Sequence, residues 1–240
     1  MARGRGEDDT LVVLDGVAVG LRRSAQARRL SLRVSGIDGR VTLTLPRRVG
    51  RSEALRFLED KAGWLQGVLA RQVAPVVVQA GTRLPVEGRE REVMVGAVRA
   101  ALIDGAALVV PQRAAGRVGP AVAACLRELA RVRLAEACDR HAATLGRRHR
   151  RLTLRDTRSR WGSCTAAGDL MFSWRLAMAP PEVLDYVAAH EVAHLVEMNH
   201  APAFWAQVAR LCPGHAVHRA WLRRAGGGLH RYRFETAAGD

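Results

Sequence analysis

The stretch His190-Glu191-Val192-Ala193-His194, followed by Glu197, Asn199 and His200, carries the residue types and spacing that could do chemistry. Positions four apart on a helix share a face, so the imidazoles of His190 and His194 can reach one cation with nitrogens about 2 Å from it. Zinc suits such a pair. Glu191 stands one step round the helix, outside the pair, where it can hold a zinc-activated water and take its proton as a general base. Those are the parts of a hydrolase.

Catalytic zinc commonly has three protein ligands, and two residues compete for the third place. Glu197 shares the face of His190, but seven residues of straight helix carry it about 10 Å along the axis. His200 can reach back only if the helix stops first. Asn199 is a plausible stop, because Asn tolerates the left-handed conformation that ends helices, and Pro202 can open the next one. The reading therefore favours His200. The spacing equals that of metzincins, yet Glu197 stands where their turn glycine would be, and Met178 lies upstream of the motif instead of downstream. Upstream, Pro180-Pro181-Glu182 followed by apolar residues at helical spacing reads as a helix start that would carry the motif.

Around that motif lie Arg160-Trp161-Gly162-Ser163-Cys164, Ser173-Trp174-Arg175-Leu176, Ala179-Pro180-Pro181-Glu182-Val183 and Met198-Asn199-His200-Ala201-Pro202-Ala203-Phe204-Trp205. Together these runs resemble the YgjP-like metallopeptidase family, related to the SprT-like and Wss1-like zinc proteases. The resemblance implies a compact zincin core, zinc ligands at His190, His194 and His200, and Glu191 as catalytic base. It also implies that Asp169 to Trp174 is the cleft-facing edge strand, along which an extended peptide substrate would pair. Finally, it sets Cys164 near the active site, where a structural role is expected over a redox one.

A net charge of +15 could suit a nucleic-acid partner. Only Lys61 among the 38 basic residues is lysine, however, and the chain is rich in Ala, Gly and Val, a composition that a GC-rich genome produces by itself. Arginine clusters such as Arg147-Arg148-His149-Arg150-Arg151 then read as solvated faces, with two tyrosines too few to act as stacking platforms. Nucleic acid stays weakly supported. No stretch is apolar enough for a signal peptide or a membrane span, so a cytoplasmic protein without a membrane partner is expected. Cys125, Cys138, Cys164 and Cys212 lack close pairing and are expected as free thiols.

The elements that must position the motif read as an α+β protein. Residues 1–113 form an N-terminal β-rich region with one helix, and residues 114–240 a zincin-like core. In the first region, strands at Leu11 to Val19, Leu30 to Val34 and Val41 to Leu45 form a small meander, with a turn at Gly36 to Gly39. A helix capped by Ser52 runs from Glu53 to about Gln72 with Trp64 in its core face, and four short strands follow near residues 76–110. In the second, a helix spans Gly119 to about Leu145, and strands at Arg151 to Thr157 and Asp169 to Trp174 flank a turn at Trp161 to Cys164. After His200, Phe204, Trp205, Val208 and Leu211 make an apolar helical stripe that would clamp the third ligand. His141 and His149 read as surface or boundary residues, and His215 and His218 as surface residues. Tyr186 reads as a core residue, and neither it nor Arg158, Arg160 or Arg175 can be singled out as an oxyanion partner.

The sequence thus reads as a zinc-dependent metallopeptidase acting on peptide or protein substrates. The alternative is a nucleic-acid-associated binding protein with a structural or vestigial zinc site. Glu191 discriminates, because a structural site has no use for an acid there and is normally closed by a fourth ligand.

Overall fold

Residues 10–14, 16–35, 39–70 and 74–235 are described by the computed structural model, which is of mixed α+β class. Contacts divide the chain into two compact units, Met1–Ala74 and Pro75–Asp240.

In the first unit, strands β1 (Thr10–Leu14), β2 (Val17–Ser24), β3 (Ser31–Val34) and β4 (Val41–Pro46) form one sheet in the order β1-β2-β4-β3. Strands β2 and β4 are parallel, with Val19 opposite Val41, so the expected meander is corrected: β3 lies outside β4 instead of between β2 and β4. Alternation in β4 buries Val41, Leu43 and Leu45 on one face, where they join Val19, Ala54, Leu58 and Leu65 in a core. The single helix expected over residues 53–72 is two, α1 (Arg51–Asp60) and α2 (Ala62–Ala70), broken at Lys61. Gly50 rather than Ser52 holds the cap position, and Trp64 is 50% exposed instead of buried. Most of the turn read at Gly36 to Gly39, and the end of the helix at Gln72, lie outside the described residues.

The second unit begins with β5 (Val76–Val77), β6 (Arg83–Val86), β7 (Arg89–Gly96), β8 (Leu102–Asp104) and β9 (Ala107–Pro111). The last four make a sheet in the order β6-β7-β9-β8, in which Gly105, at positive φ, and Ala106 turn the β8–β9 hairpin between paired Asp104 and Ala107. A 3-10 turn at Gln112–Arg117 leads into α3 (Val118–Thr144), whose residues Val122, Leu126, Ala130, Leu134 and Ala137 form a buried stripe at helical spacing. That stripe shares one core with Leu84, Val86, Val93, Leu108 and Val110 of the preceding sheet. The chain therefore divides after Ala74, and not after residue 113, because residues 75–113 bury their apolar side chains against α3.

Three further strands, β10 (Arg151–Arg155), β11 (Gly162–Cys164) and β12 (Asp169–Ser173), form a sheet in the order β10-β12-β11. Two expectations are corrected here. The turn read at Trp161 to Cys164 contains a strand, and β12, expected at the edge, is interior, parallel to β10 and antiparallel to β11. Its burial explains the placement: Leu170, Phe172 and Ser173 are all inside. A 3-10 turn at Trp174–Met178 leads to α4 (Pro181–Ala193), α5 (Pro202–Leu211) and α6 (His215–Ala225). A last 3-10 turn, Gly226–Arg231, precedes β13 (Tyr232–Arg233), which pairs in parallel with β5. Buried Arg175 ties this tail down, pairing with Asp156 and donating to the carbonyls of Leu229 and Tyr232 at 3.0 and 3.1 Å. Among the described residues, no helix is long and apolar enough to cross a membrane.

Candidate active site

Helix α4 starts where Pro181 supplies a preset φ and gives up an N–H that a helix start would leave unpaired anyway. It packs against α3, β11, α5 and α6, and Val183, Leu184, Tyr186, Val187, Ala188, Ala189, Val192 and Ala193 are all buried. A helix so enclosed presents its few polar side chains in fixed directions. On the side towards α3, Asp185 accepts from His141 at 3.1 Å and from Arg140 at 2.7 Å, which accounts for the buried His141 as a structural partner.

The helix ends at Ala193 with His194 as its C-cap. Beyond it, the amides of Leu195, Val196 and Glu197 bond back to Val192 and Ala193, so the chain turns within one residue of His194. Asn199 is not left-handed, since Glu87 is the one non-glycine residue of positive φ among those described. It acts through its side chain instead, with Oδ1 accepting from the amide of Ala201 at 3.0 Å just before α5. That return brings His200 against the helix. Ligand nitrogens of His190, His194 and His200 all lie within 4.8 Å of one another, and Nε2 of His200 is 3.1 Å from Nε2 of His190. The carboxylate of Glu197 does not belong to this group, while its backbone carbonyl accepts a hydrogen bond from Nδ1 of His194 at 2.9 Å.

These contacts fit a cation. A proton on Nδ1 of His194 leaves Nε2 with its lone pair for a metal. Tetrahedral zinc with bonds of about 2.0–2.1 Å sets its ligand nitrogens about 3.3 Å apart, close to the His190–His200 separation. Burial, then the neighbouring His194, His200 and Arg219, pushes the His190 imidazolium down to about 4, so at neutral pH the ring is uncharged, the form that could bind a metal. Burial likewise lowers His194. Phe204 of α5 holds all three rings, with centroids 4.9, 4.4 and 4.7 Å from those of His190, His194 and His200.

Glu191 is 6% exposed, and burial pushes its carboxyl up to about 7, against a smaller opposing pull from Arg160. It has room because the facing strand residue is glycine: a Cβ on Gly162 would lie 2.6 Å from Cγ and Oε1 of Glu191. The reading of the sequence missed this partnership, although an isolated glycine inside a strand is a known sign of close approach. It also misread His215 and His218. Both are half-buried, their rings 6.5 and 6.4 Å from that of Tyr186, and His215 stacks on Trp205 at 5.7 Å. Tyr186 is buried, with its ring 6.0 Å from His190. The four cysteines are free thiols. That of Cys164 is pushed up to about 11, first by burial and then by Glu191 and Asp169, which keeps it protonated and unreactive.

Three imidazoles able to share one cation, beside the buried carboxyl of Glu191 on α4, are the components of a metal-dependent hydrolase. Comparison with protein families narrows the class: the description "YgjP-like, metallopeptidase domain" matches residues 28–225, and the chain belongs to this family of metallopeptidases. No curated protein matches the sequence. Among solved structures, the metallopeptidase zymogen of Pyrococcus abyssi abylysin aligns with 18% identity over 39% of this chain and 92% of its own, with a TM-score of 0.35. That score is too low to define a shared fold.

Proposed function

We propose that this protein hydrolyses peptide bonds with a zinc ion held by His190, His194 and His200 and with Glu191 as general base. The observation that carries the reading is the pairing of three closely spaced imidazoles with the buried carboxyl of Glu191 beside them. A cation site that served only the fold would gain nothing from that acid, and among the described residues no fourth ligand completes the cluster. We read the sheet of β10, β12 and β11 with α3 and α4 as a zincin core.

When bound, zinc polarises the scissile carbonyl and makes water acidic near neutral pH, with a pKa of about 7. The chain supplies the rest. The Glu191 carboxylate accepts a proton from the water whose oxygen forms the new bond to the carbonyl carbon. As the carbon–nitrogen bond breaks, the same carboxyl returns that proton to the departing amine. Burial alone would hold Glu191 largely protonated below pH 7, and its carboxylate form, needed for the first step, would be favoured by a dication bound at the three histidines.

A substrate backbone can be held by β11, which among the described residues has a strand, β12, on one side only. Trp161 O accepts from Ser173 N at 2.8 Å and Thr165 N donates to Asp169 O at 3.0 Å. With the alternation of a strand, the N–H and C=O groups of Gly162 and Cys164 point to the opposite side, where an extended peptide can pair with them.

Substitution Glu191→Gln tests the assignment. It should leave one zinc per chain and an unchanged unfolding temperature, while peptide hydrolysis falls by at least about 10²-fold. Hydrolysis at the wild-type rate would remove Glu191 from the mechanism.

A further inference from the structure

Beside Glu191 lies a recess of about 240 Å³, below the ~300–1,000 Å³ that accommodates drug-sized ligands and suited to one side chain. Its apolar surface comes from three elements: Tyr186 and Val187 on α4, Trp161 next to β11, and Leu222 on α6. His190 and Glu191 also line it, so whatever enters touches the groups assigned to the chemistry.

The Trp161 wall is fixed before anything binds. Its backbone is tied into the sheet through the bond from Ser173 N, and its ring lies 5.2 Å from that of buried His230. On the other side the ring meets Gly226, where a Cβ would fall 2.9 Å from Cζ2 of Trp161 and 3.5 Å from Cδ2 of Leu222. Glycine at the end of α6 therefore lets the two apolar walls close on the recess. A charged side chain would meet one like and one opposite charge there, Glu191 and the exposed Arg160, so neither sign is favoured, whereas an apolar side chain is removed from water against Trp161, Tyr186, Val187 and Leu222.

We propose that this recess is the specificity pocket of the enzyme and takes a large apolar side chain, Leu, Met or Phe, from the residue adjoining the scissile bond. The assignment rests on the peptide-hydrolase reading above. A peptide laid along the free edge of β11 passes Gly162 and brings its neighbouring side chain to the Trp161–Leu222 gap, while its carbonyl meets the histidine cluster.

The test combines cleavage and binding, using the full chain loaded with zinc. A proteome-derived peptide library is digested and the cut sites are read by mass spectrometry, for wild type, Leu222→Phe and Leu222→Ala. Wild type should favour Leu, Met or Phe over Ala, Asp or Lys by at least about tenfold at one position flanking the cut. Leu222→Phe should shift that preference towards Ala and Val, and Leu222→Ala should extend it towards Tyr and Trp. In parallel, Kd is measured on the Glu191→Gln protein, with and without Leu222→Phe, for a fluorescent Ala/Ser decapeptide with a central Leu and for its Ala counterpart. The Leu peptide should bind at least about tenfold more tightly, and Leu222→Phe should abolish the difference. Cleavage without side-chain preference, or a preference unmoved in both Leu222 variants, overturns the pocket and leaves the hydrolase reading standing. Selective binding that Leu222→Phe abolishes, without any cleavage, supports the pocket and defeats the hydrolase reading. Neither cleavage nor selective binding overturns both.

Discussion

Replacing Gly162 by alanine tests whether the position of Glu191, and not merely its presence, drives hydrolysis. The new Cβ would lie 2.6 Å from Cγ and Oε1 of Glu191 and 2.8 Å from Cδ, whereas ordinary contact begins at 3.4 Å. Gly162 is held in register with Phe172 by the sheet and the backbone of Glu191 is held in the last turn of the enclosed helix α4, so the overlap is relieved chiefly by the carboxyl withdrawing about 0.8 Å. A misplacement of about 1 Å in a catalytic group costs about 10²-fold in rate, equivalent to about 2.7 kcal/mol of barrier. Overpacking of this kind also costs about 1–3 kcal/mol of stability. Kinetics on a defined peptide, zinc by elemental analysis and thermal unfolding separate these effects. The expected result is full zinc, a lower unfolding temperature and a fall of about 10²-fold in kcat. Gly67→Ala in α2 is the control, since nothing lies within 4 Å of its new Cβ, and it should gain up to about 1 kcal/mol without affecting hydrolysis. A folded Gly162→Ala enzyme with wild-type kcat would refute the argument that this glycine sets the carboxyl.

Two further outcomes follow from the same site. His200→Ala should lose zinc while Glu197→Ala keeps it, because Glu197 contributes only its backbone carbonyl to His194; elemental analysis showing the reverse would make Glu197 the third ligand. The buried His230, whose imidazolium is pushed down to about 4 first by burial and then by Arg175, gives a pH signature in stability. The unfolded chain binds its proton near pH 6.5 and the folded one only near 4, so stability rises with pH across that window and is fully present above it. Between pH 7.5 and 5 the metal-free protein should lose on the order of 2 kcal/mol more than His230→Phe does, as measured by denaturant titration at each pH; equal losses would show that His230 does not titrate in this way.

How far the sequence can be read depends on the distance over which each feature is determined. The helix carrying His190, Glu191 and His194 was legible because its proline start and apolar spacing lie within the same segment. So was the β8–β9 hairpin, which Asp104-Gly105 signals locally, although Gly105 and Ala106 make the turn and Asp104 ends the strand. The stop between His194 and His200 could be anticipated but its mechanism could not: the chain turns through successive amides bonding back to Val192 and Ala193, a geometry that no residue type announces. Strand pairing was less accessible still. Three residues, Gly162 to Cys164, are too few to display alternation, so β11 reads as a turn, and with no strand read beside it nothing in the sequence opposes the edge place that the resemblance implies for β12.

The burial of Glu191 shows where local reading must give way. H-E-x-x-H specifies a glutamate beside two potential ligands but says nothing about whether its carboxyl is wet or dry. Here a strand from twenty-nine residues earlier, lacking a side chain at Gly162, presses against it and excludes water. The same approach that buries the carboxyl also brings Trp161 to the edge of the recess, because Trp161, just before β11, and Gly162, its first residue, are adjacent in the chain. Proton affinity and side-chain selection are thus coupled through the placement of β11. A change that moves this strand should alter both together, whereas a change at Leu222 on α6 should alter selection alone.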